Sequence, residues 1–416
     1  MRTRPRTLKT LLLTAALALA VAACSGGGST GPSNADVKIV NSAAEIVVGA
    51  TLSLSGSLDA LGAPLEAGYQ QELADVNAAG GIALGRSRER LRLVVLDNGS
   101  DPGKAAAQAA ELVQQDHAVA LLGSGSPQTI TPTALVAEQL RVPFLTSLMP
   151  VEAFASGDKT GWTYSWDLFS DERQQAADAA KALASVRSDK KVALFTDDEP
   201  DAVVERPLQA AALKADGLDV VGDYTFPVGT TDFSAFIAAA KARGAQLLAG
   251  QLAAGGGVAL WRQLKSAGLR PKAAFLAQAS GAGYWGRSLG SLAQDTLSEG
   301  YWCPGQASPG KLAAITATLG KKYSGTPDYA AAAVAYAVAE VLTDALAKAG
   351  SANPGRLNSA IAQTHAQTTA GLIAFNQSTH TSTTPASITQ WQNGKLVQVR
   401  PAVPGVTLRV PAAGLG

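Results

Sequence analysis

An α/β fold in two similar halves is what this sequence predicts, and three observations carry the prediction. Short apolar runs alternate with stretches of 10–15 residues at helical spacing, the pattern of βαβ units around parallel sheets. The pattern starts afresh near residue 174, and Thr231–Gly250 echoes Ser100–Gly123: a capped helix, a strand and a glycine follow one another in each. With 416 residues and 47% hydrophobic composition, the chain has material for a large core divided between two domains.

The first residues point to a compartment. Arg2, Arg4, Arg6 and Lys9 form a positive region ahead of Leu11–Ala23, an apolar run too short to span a bilayer. It ends in Val21-Ala22-Ala23-Cys24, which resembles a bacterial lipobox, with Cys24 as the lipidation site. Ser25–Asn34 then has no means of burying a core. Residues 1–23 are read as a lipoprotein signal peptide, and 24–45 as the lipidated cysteine and a flexible tether. The expected location is the extracytoplasmic face of a cell membrane, held by the lipid anchor, at the bacterial surface or in the periplasm. A plain secretory signal with an incidental cysteine is the competing reading. Cys303 has no partner for a disulfide once Cys24 carries lipid, and its setting, Tyr301-Trp-Cys-Pro304, suits a buried thiol. The signal carries four of the 34 basic residues and no acid, so 30 remain against 33 acids. A net charge near −3 argues against nucleic acid as a partner.

In the first half, Ile46–Leu52 reads as a buried strand bounded by Ser53–Ser57, and Leu65–Ala78 as a helix stopped by Gly80-Gly81. Leu91–Leu96 is the second strand; Asp101 is an N-cap and Pro102 the first helical residue of a helix to about Gln115. Val119–Leu122 is the third strand. It opens into Gly123-Ser-Gly-Ser-Pro-Gln-Thr129, small residues and hydroxyls, ahead of a helical pattern from about Pro132. Such a strand end is where open α/β sheets bind ligands, although an ordinary strand–helix connection would look similar. Ala134–Leu140 (helix) and Val142–Thr146 (strand) complete the half.

In the second half, Gln174–Val186 is helical and Lys191–Phe195 a strand that ends in Thr196-Asp-Asp-Glu-Pro200. Pro207–Ala215 is helical, Val220–Phe226 a strand, and Ala273–Ala277 another. Tyr329–Ala349 is long and apolar, but its alanines, Glu340 and Asp344 favour packing over a membrane span. Thr364–Ala386 is rich in Thr and Ser, and Ile388–Val399 contains a hairpin centred on Asn393-Gly394.

The order of Ile46-Val-Val-Gly49, Gly56 with Gly62, Asp75–Ile82, Leu96–Pro102, the Gly123 loop, Val142-Pro143, Thr231-Asp-Phe233 and Gln390–Gly394 resembles the type I periplasmic binding proteins. Within them it resembles the Leu/Ile/Val-binding branch that serves ABC importers, over residues of about 46–400. The resemblance implies two Rossmann-like lobes with parallel sheets, joined by a three-strand hinge with crossings near residues 163, 303 and 370. Residues 46–163 with 304–370 would form the N-terminal lobe, 164–303 with 371–402 the C-terminal lobe, and 403–416 a tail. It implies a monomer, a small-molecule ligand held between the lobes, and an ABC permease as partner. Ser126, Gln128 and Thr129, with Ser147, would hold a ligand carboxylate; Ser55, Leu58, Trp166 and Leu252 belong to the same expected site. Two positions depart from the family pattern. Ala279 stands where amino-acid binders carry a glutamate for the ligand ammonium, and Asp201 where they carry an aromatic.

The expected function is capture of a small polar or amphipathic solute for an importer of the branched-chain amino acid type; the alternative is a sensing module reporting to a membrane receptor or kinase. The missing glutamate favours a ligand with an acceptor head group and an uncharged, partly apolar body. Asp197, Asp198 or Asp201 could supply the charge instead. Core packing is the default for Trp162, Trp166, Trp285, Trp302 and Tyr284; several of them gathered on the cleft side would instead suggest an apolar or aromatic ligand. No enzyme is expected: Gly286-Arg-Ser-Leu-Gly290 fits a nucleophile elbow but lacks the strand before it. No cofactor fingerprint and no metal-ligand spacing is present either.

Overall fold

The computed structural model describes residues 45–281, 283–300, 329–384 and 386–410. The signal region, Cys24, the tether, Cys303, Trp302 and the expected crossing near 303 lie outside the described residues. The first half runs β1 (Glu45–Leu52), α1 (Asp59–Ala78), β2 (Ile82–Leu84), β3 (Ser87–Asp97), α2 (Pro102–Gln114), β4 (Ala120–Leu122), α3 (Pro127–Leu140), β5 (Phe144–Ser147), α4 (Val151–Ser156) and β6 (Ser165–Ser170). The second runs α5 (Glu172–Ala184), β7 (Lys191–Asp197), α6 (Pro200–Ala215), β8 (Asp219–Phe226), α7 (Ser234–Ala242), β9 (Leu247–Leu252), α8 (Ala254–Ala267), β10 (Ala273–Gln278), α9 (Gly283–Leu289) and β11 (Leu297–Gly300). The chain closes with α10 (Tyr329–Ala349), α11 (Pro354–Ala362), β12 (His365–Thr368), β13 (Gly371–Ala374), β14 (Thr381–Thr384), β15 (Ser387–Gln392) and β16 (Lys395–Arg400).

Two seven-stranded sheets result, ordered β14-β6-β5-β4-β1-β3-β2 and β16-β15-β11-β10-β9-β7-β8. Their central strands are parallel; β2 in the first and β15 in the second run against them, and β16 pairs antiparallel with β15 and so regains the central direction. Sheet membership corrects the expected crossings. β6 pairs with β5 from Phe144↔Ser165 onward, so the chain leaves the first sheet between Ser170 and Glu172, not near 163. Gly161, in a left-handed conformation, belongs to the loop before β6. β14 also pairs with β6, so the last crossing lies between Thr384 and Ser387, not near 370.

Three helices start several residues earlier than the sequence indicated: α1 opens at Asp59 with Pro64 inside it, and α3 and α6 share one reason. α3 and α6 each contain two prolines, and the first, Pro127 or Pro200, opens the helix. A proline at the first position sacrifices no intrahelical bond. The second, Pro132 or Pro207, lies inside and loses one. Other signals act as read. Asp101 caps α2 by accepting from the Lys104 N–H at 2.6 Å, and Asn393 and Gly394 both have positive φ in the β15–β16 turn.

α10 forms the floor of the first lobe. Its residues Ala331 to Ala339 are all buried. It packs on α1 so closely that a Cβ on Gly68 would stand 2.2 Å from the Ala332 carbonyl oxygen. Two hydrogen bonds fix the pair, Tyr336 Oη to Asp75 at 2.9 Å and Thr343 Oγ1 to Glu72 at 2.9 Å. Although long and apolar enough to cross a bilayer, α10 is a core helix here. At the other end of the molecule the chain after β16 returns to cover β15. Gln390 Nε2 donates to Arg409 O at 2.8 Å, Gln392 Nε2 to Thr407 O at 2.8 Å, and the Arg409 N–H to Gln390 Oε1 at 2.9 Å.

Candidate functional site

A cavity of about 50 Å³ lies between strand ends and helix starts of the two sheets. One wall comes from the first lobe. β4 ends at Leu122, and Gly123 follows where a Cβ would stand 2.0 Å from Thr146 Oγ1. Gly125, at φ +86°, turns the chain into α3 and leaves Ser126 at its N-cap. Ser126 is 2% exposed, makes no capping bond, and its Oγ has no partner. Around it the wall is apolar: Leu61, Leu148, Pro150 and Phe169.

The opposite wall is polar and acidic. Asp201 and Glu205, one turn apart on α6, are both buried and face the cavity with Glu299 of β11. Gln251, at the end of β9, donates Nε2 to Asp201 Oδ2 at 2.9 Å, while its Oε1 is buried without a partner. Glu299 accepts from the Gln278 N–H at 2.9 Å and from Gln175 Nε2 at 3.1 Å. Gln278 has φ +58°, a conformation that costs a non-glycine residue energy, and its Oε1 too is buried without a partner.

Burial dominates the electrostatics. It raises the Asp201 carboxyl above its ordinary range and raises Glu205 far above it, helped by the neighbouring Glu299, Asp201 and Glu152. In the β7–α6 loop burial pushes Asp197 up to about 6 and, with Asp201 alongside, Glu199 up to about 7. At the first crossing, burial and then Glu152 push Glu172 up to about 10, and Glu172 accepts from the Val151 N–H at 2.9 Å. Glu152 is held low by the hydrogen bond with Glu172 and by Arg173, 3.0 Å away. A protonated carboxyl of α5 thus meets an ionised one of α4.

Of the expected site residues, Ser126 and Asp201 line the cavity. The others are not among its lining residues. Ser55 donates to Asp97 at 2.6 Å, the Leu58 N–H to Ser100 Oγ at 3.0 Å, and Gln128 Nε2 to Ser100 O at 3.2 Å. Thr129 shares a short hydrogen bond with Ser124 inside the first turn of α3. Ser147 is buried at the end of β5 with its Oγ unpartnered. Leu252 and Ala279 are in the core of the second lobe. Trp166 is in the core of the first, stacked on His380 with centroids 3.8 Å apart and donating to Asn358 at 2.8 Å. Trp162 stacks on Phe154 and Trp285 packs against Trp261, the core placement expected by default for large rings. Ser288 lies within α9, not on a strand-to-helix elbow.

Glu205, Gln251, Gln278 and Glu299 were missed. The signal for Glu205 is the spacing Asp201, Glu205, Gln209 along α6, a stripe that looks solvated in sequence and is buried in the fold.

The sequence profile of the family described as periplasmic binding protein matches residues 45–395. Leu/Ile/Val-binding protein homolog 8 of Brucella suis is 24% identical over 400 residues, covering 90% of this chain and 95% of that protein. Among solved structures, the branched-chain amino acid transporter substrate-binding protein LivJ of Streptococcus pneumoniae, in complex with isoleucine, superposes with a TM-score of 0.74. It is 21% identical and covers 85% of this chain and 99% of its own. A solute-binding protein of an ABC transporter from R. palustris, in complex with benzoate, gives 0.72 at 17% identity, covering 85% and 95%. The chain belongs to the periplasmic binding protein family, as a type I member similar to the Leu/Ile/Val-binding proteins.

Proposed function

We propose that this member of the solute-binding proteins of ABC transporters works outside the cytoplasm as a lipoprotein anchored through Cys24. It captures a small polar or amphipathic solute between its lobes and delivers it to an importer of the branched-chain amino acid type. Capture and release involve no chemical step on the solute. The observation that carries the reading is the cavity itself, lined from both sheets and met by two crossings, at Ser170–Glu172 and Thr384–Ser387. Its volume of about 50 Å³ holds a few water molecules at most, so the lobes must part to admit a solute and close to hold it. In this reading Ser126 and the start of α3 meet one end of the solute and the α6 wall meets the other. A ligand that touches both walls favours the closed arrangement by its extra contacts there. Small-angle scattering tests this: a bound solute reduces the radius of gyration, and tight binding without compaction would defeat the closure mechanism.

A further inference from the structure

The second-lobe wall is dominated by acceptors. Asp201 and Glu205 end at the cavity from one face of α6, and Glu299 extends the wall. Gln251, 4% exposed, directs its one free donor group to Asp201 and keeps Oε1 buried and unpartnered; Ser126 Oγ, across the cavity, is buried and unpartnered as well. Buried polar atoms in native proteins have partners, so these two mark where a ligand's donors go. No Lys, Arg or His lines the cavity, and among the described residues no group of His, Cys, Asp and Glu is arranged to hold a metal ion. Neighbouring carboxyls taken out of water must either keep their protons or receive a positive charge from outside. The facing wall of Leu61, Leu148 and Phe169 offers an apolar surface.

We propose that the solute is an amphipathic organic cation. Its protonated amine, amidinium or guanidinium N–H groups face Asp201 and Glu205, and its apolar body lies on Leu61, Leu148 and Phe169. The proposal rests on the solute-binding reading and goes beyond it by fixing the sign of the ligand's charge. It also corrects the expectation of an uncharged ligand body, since the acid absent at Ala279 is present on α6. A planar amidinium or guanidinium, with N–H groups fixed in one plane, suits a wall of carboxylate and amide oxygens. An aromatic acid would meet repulsion there. Cation binding displaces protons from the raised carboxyls. The titratable groups around them are Asp201 and Glu205 on α6, Glu299 on β11, Glu152 on α4, Glu172 on α5, and Asp197 and Glu199 in the β7–α6 loop; the basic residue among these is Arg173, exposed and paired with Glu152.

The test is calorimetry on the purified protein at pH 7.5, in two buffers of different ionisation enthalpy, with benzamidine, agmatine, benzamide, benzoate and isoleucine. At least one of the two cations is expected to bind tenfold or more tighter than benzamide, with proton release, and benzoate to give no heat. Glu205→Gln is expected to weaken the cation tenfold or more while raising the melting temperature of the empty protein, which shows that the variant folds. The proposal is overturned if benzoate or isoleucine binds tighter than both cations, or if neither cation is preferred to benzamide, a silent panel included. Isoleucine or benzoate binding with compaction would leave solute capture standing without the charge assignment. A cation that binds without compaction would leave the charge assignment standing without closure.

Discussion

Gln251 donates its amide to Asp201 at 2.9 Å, tying the end of β9 to the first turn of α6 and turning its own carbonyl oxygen into a buried acceptor without a donor. One amide therefore satisfies a buried acid with its donor and keeps its acceptor at the cavity. Gln251→Leu keeps the volume and removes the donor. The empty protein is expected to lose about 1–3 kcal/mol, the usual cost of a buried group left without its partner. Urea unfolding measures it; an unchanged midpoint would show that Asp201 finds solvent.

The pH dependence of the empty protein follows from the same wall. Asp197 and Glu199 have folded-state values raised to about 6 and 7, and Asp201 and Glu205 are raised as well. Between the ordinary carboxyl value near 4 and these raised values, the folded state holds more protons than the unfolded one. Stability therefore falls as pH rises through that window. His380, lowered by burial, acts in the opposite sense below its ordinary value. Melting temperature is expected to be higher at pH 5.5 than at 7.5, and Glu205→Gln to flatten the slope. A wild-type curve rising across that interval would contradict the burial argument.

Trp166 tests the correction of the site. Its ring is packed on His380 and Phe375 in the first-lobe core. Trp166→Ala is expected to cost about 3–5 kcal/mol, as large-to-small core changes do, with the affinity of the folded variant for a bound probe within about twofold of wild type. A large loss of affinity at unchanged stability would put the ring back in the binding site.

The proposed membrane attachment is tested separately from both. Acylation at more than one chain holds a protein firmly to a bilayer, so Cys24→Ser is expected to move from the membrane to the soluble fraction. Fractionation of cells expressing each form decides it; a variant that stays with the membrane would place the anchor elsewhere.

Much of the fold is legible in the sequence because it rests on local chemistry. The Asp101 cap and the Asn393-Gly394 turn are set by residues within a few positions of where they act. What is illegible depends on distant partners. Either proline of each pair could open α3 or α6 by local rules. β14 joins the first sheet by pairing beside β6, more than 200 residues earlier, a partnership no local signal announces. Of the site, the Gly123–Ser126 turn is readable as small residues at a strand end. The acceptor wall is not, since Asp201, Glu205 and Gln209 have the spacing of a solvent-facing stripe. They are buried because α6 packs against α5 and the strands of its own sheet and meets α3 and α4 across the cavity.

A fluorescent reporter spliced onto this protein has to respect its C-terminal lacing. Thr407 and Arg409 supply the acceptors for the buried amides of Gln390 and Gln392, on the strand that follows the last crossing. A fluorophore joined after Val410 leaves those acceptors in place, and its signal can follow the lobes. A fusion that trims the chain to residue 402 takes them away and loosens β15. Such a sensor would drift with temperature and denaturant, reading the fraying of its own attachment point in place of the solute.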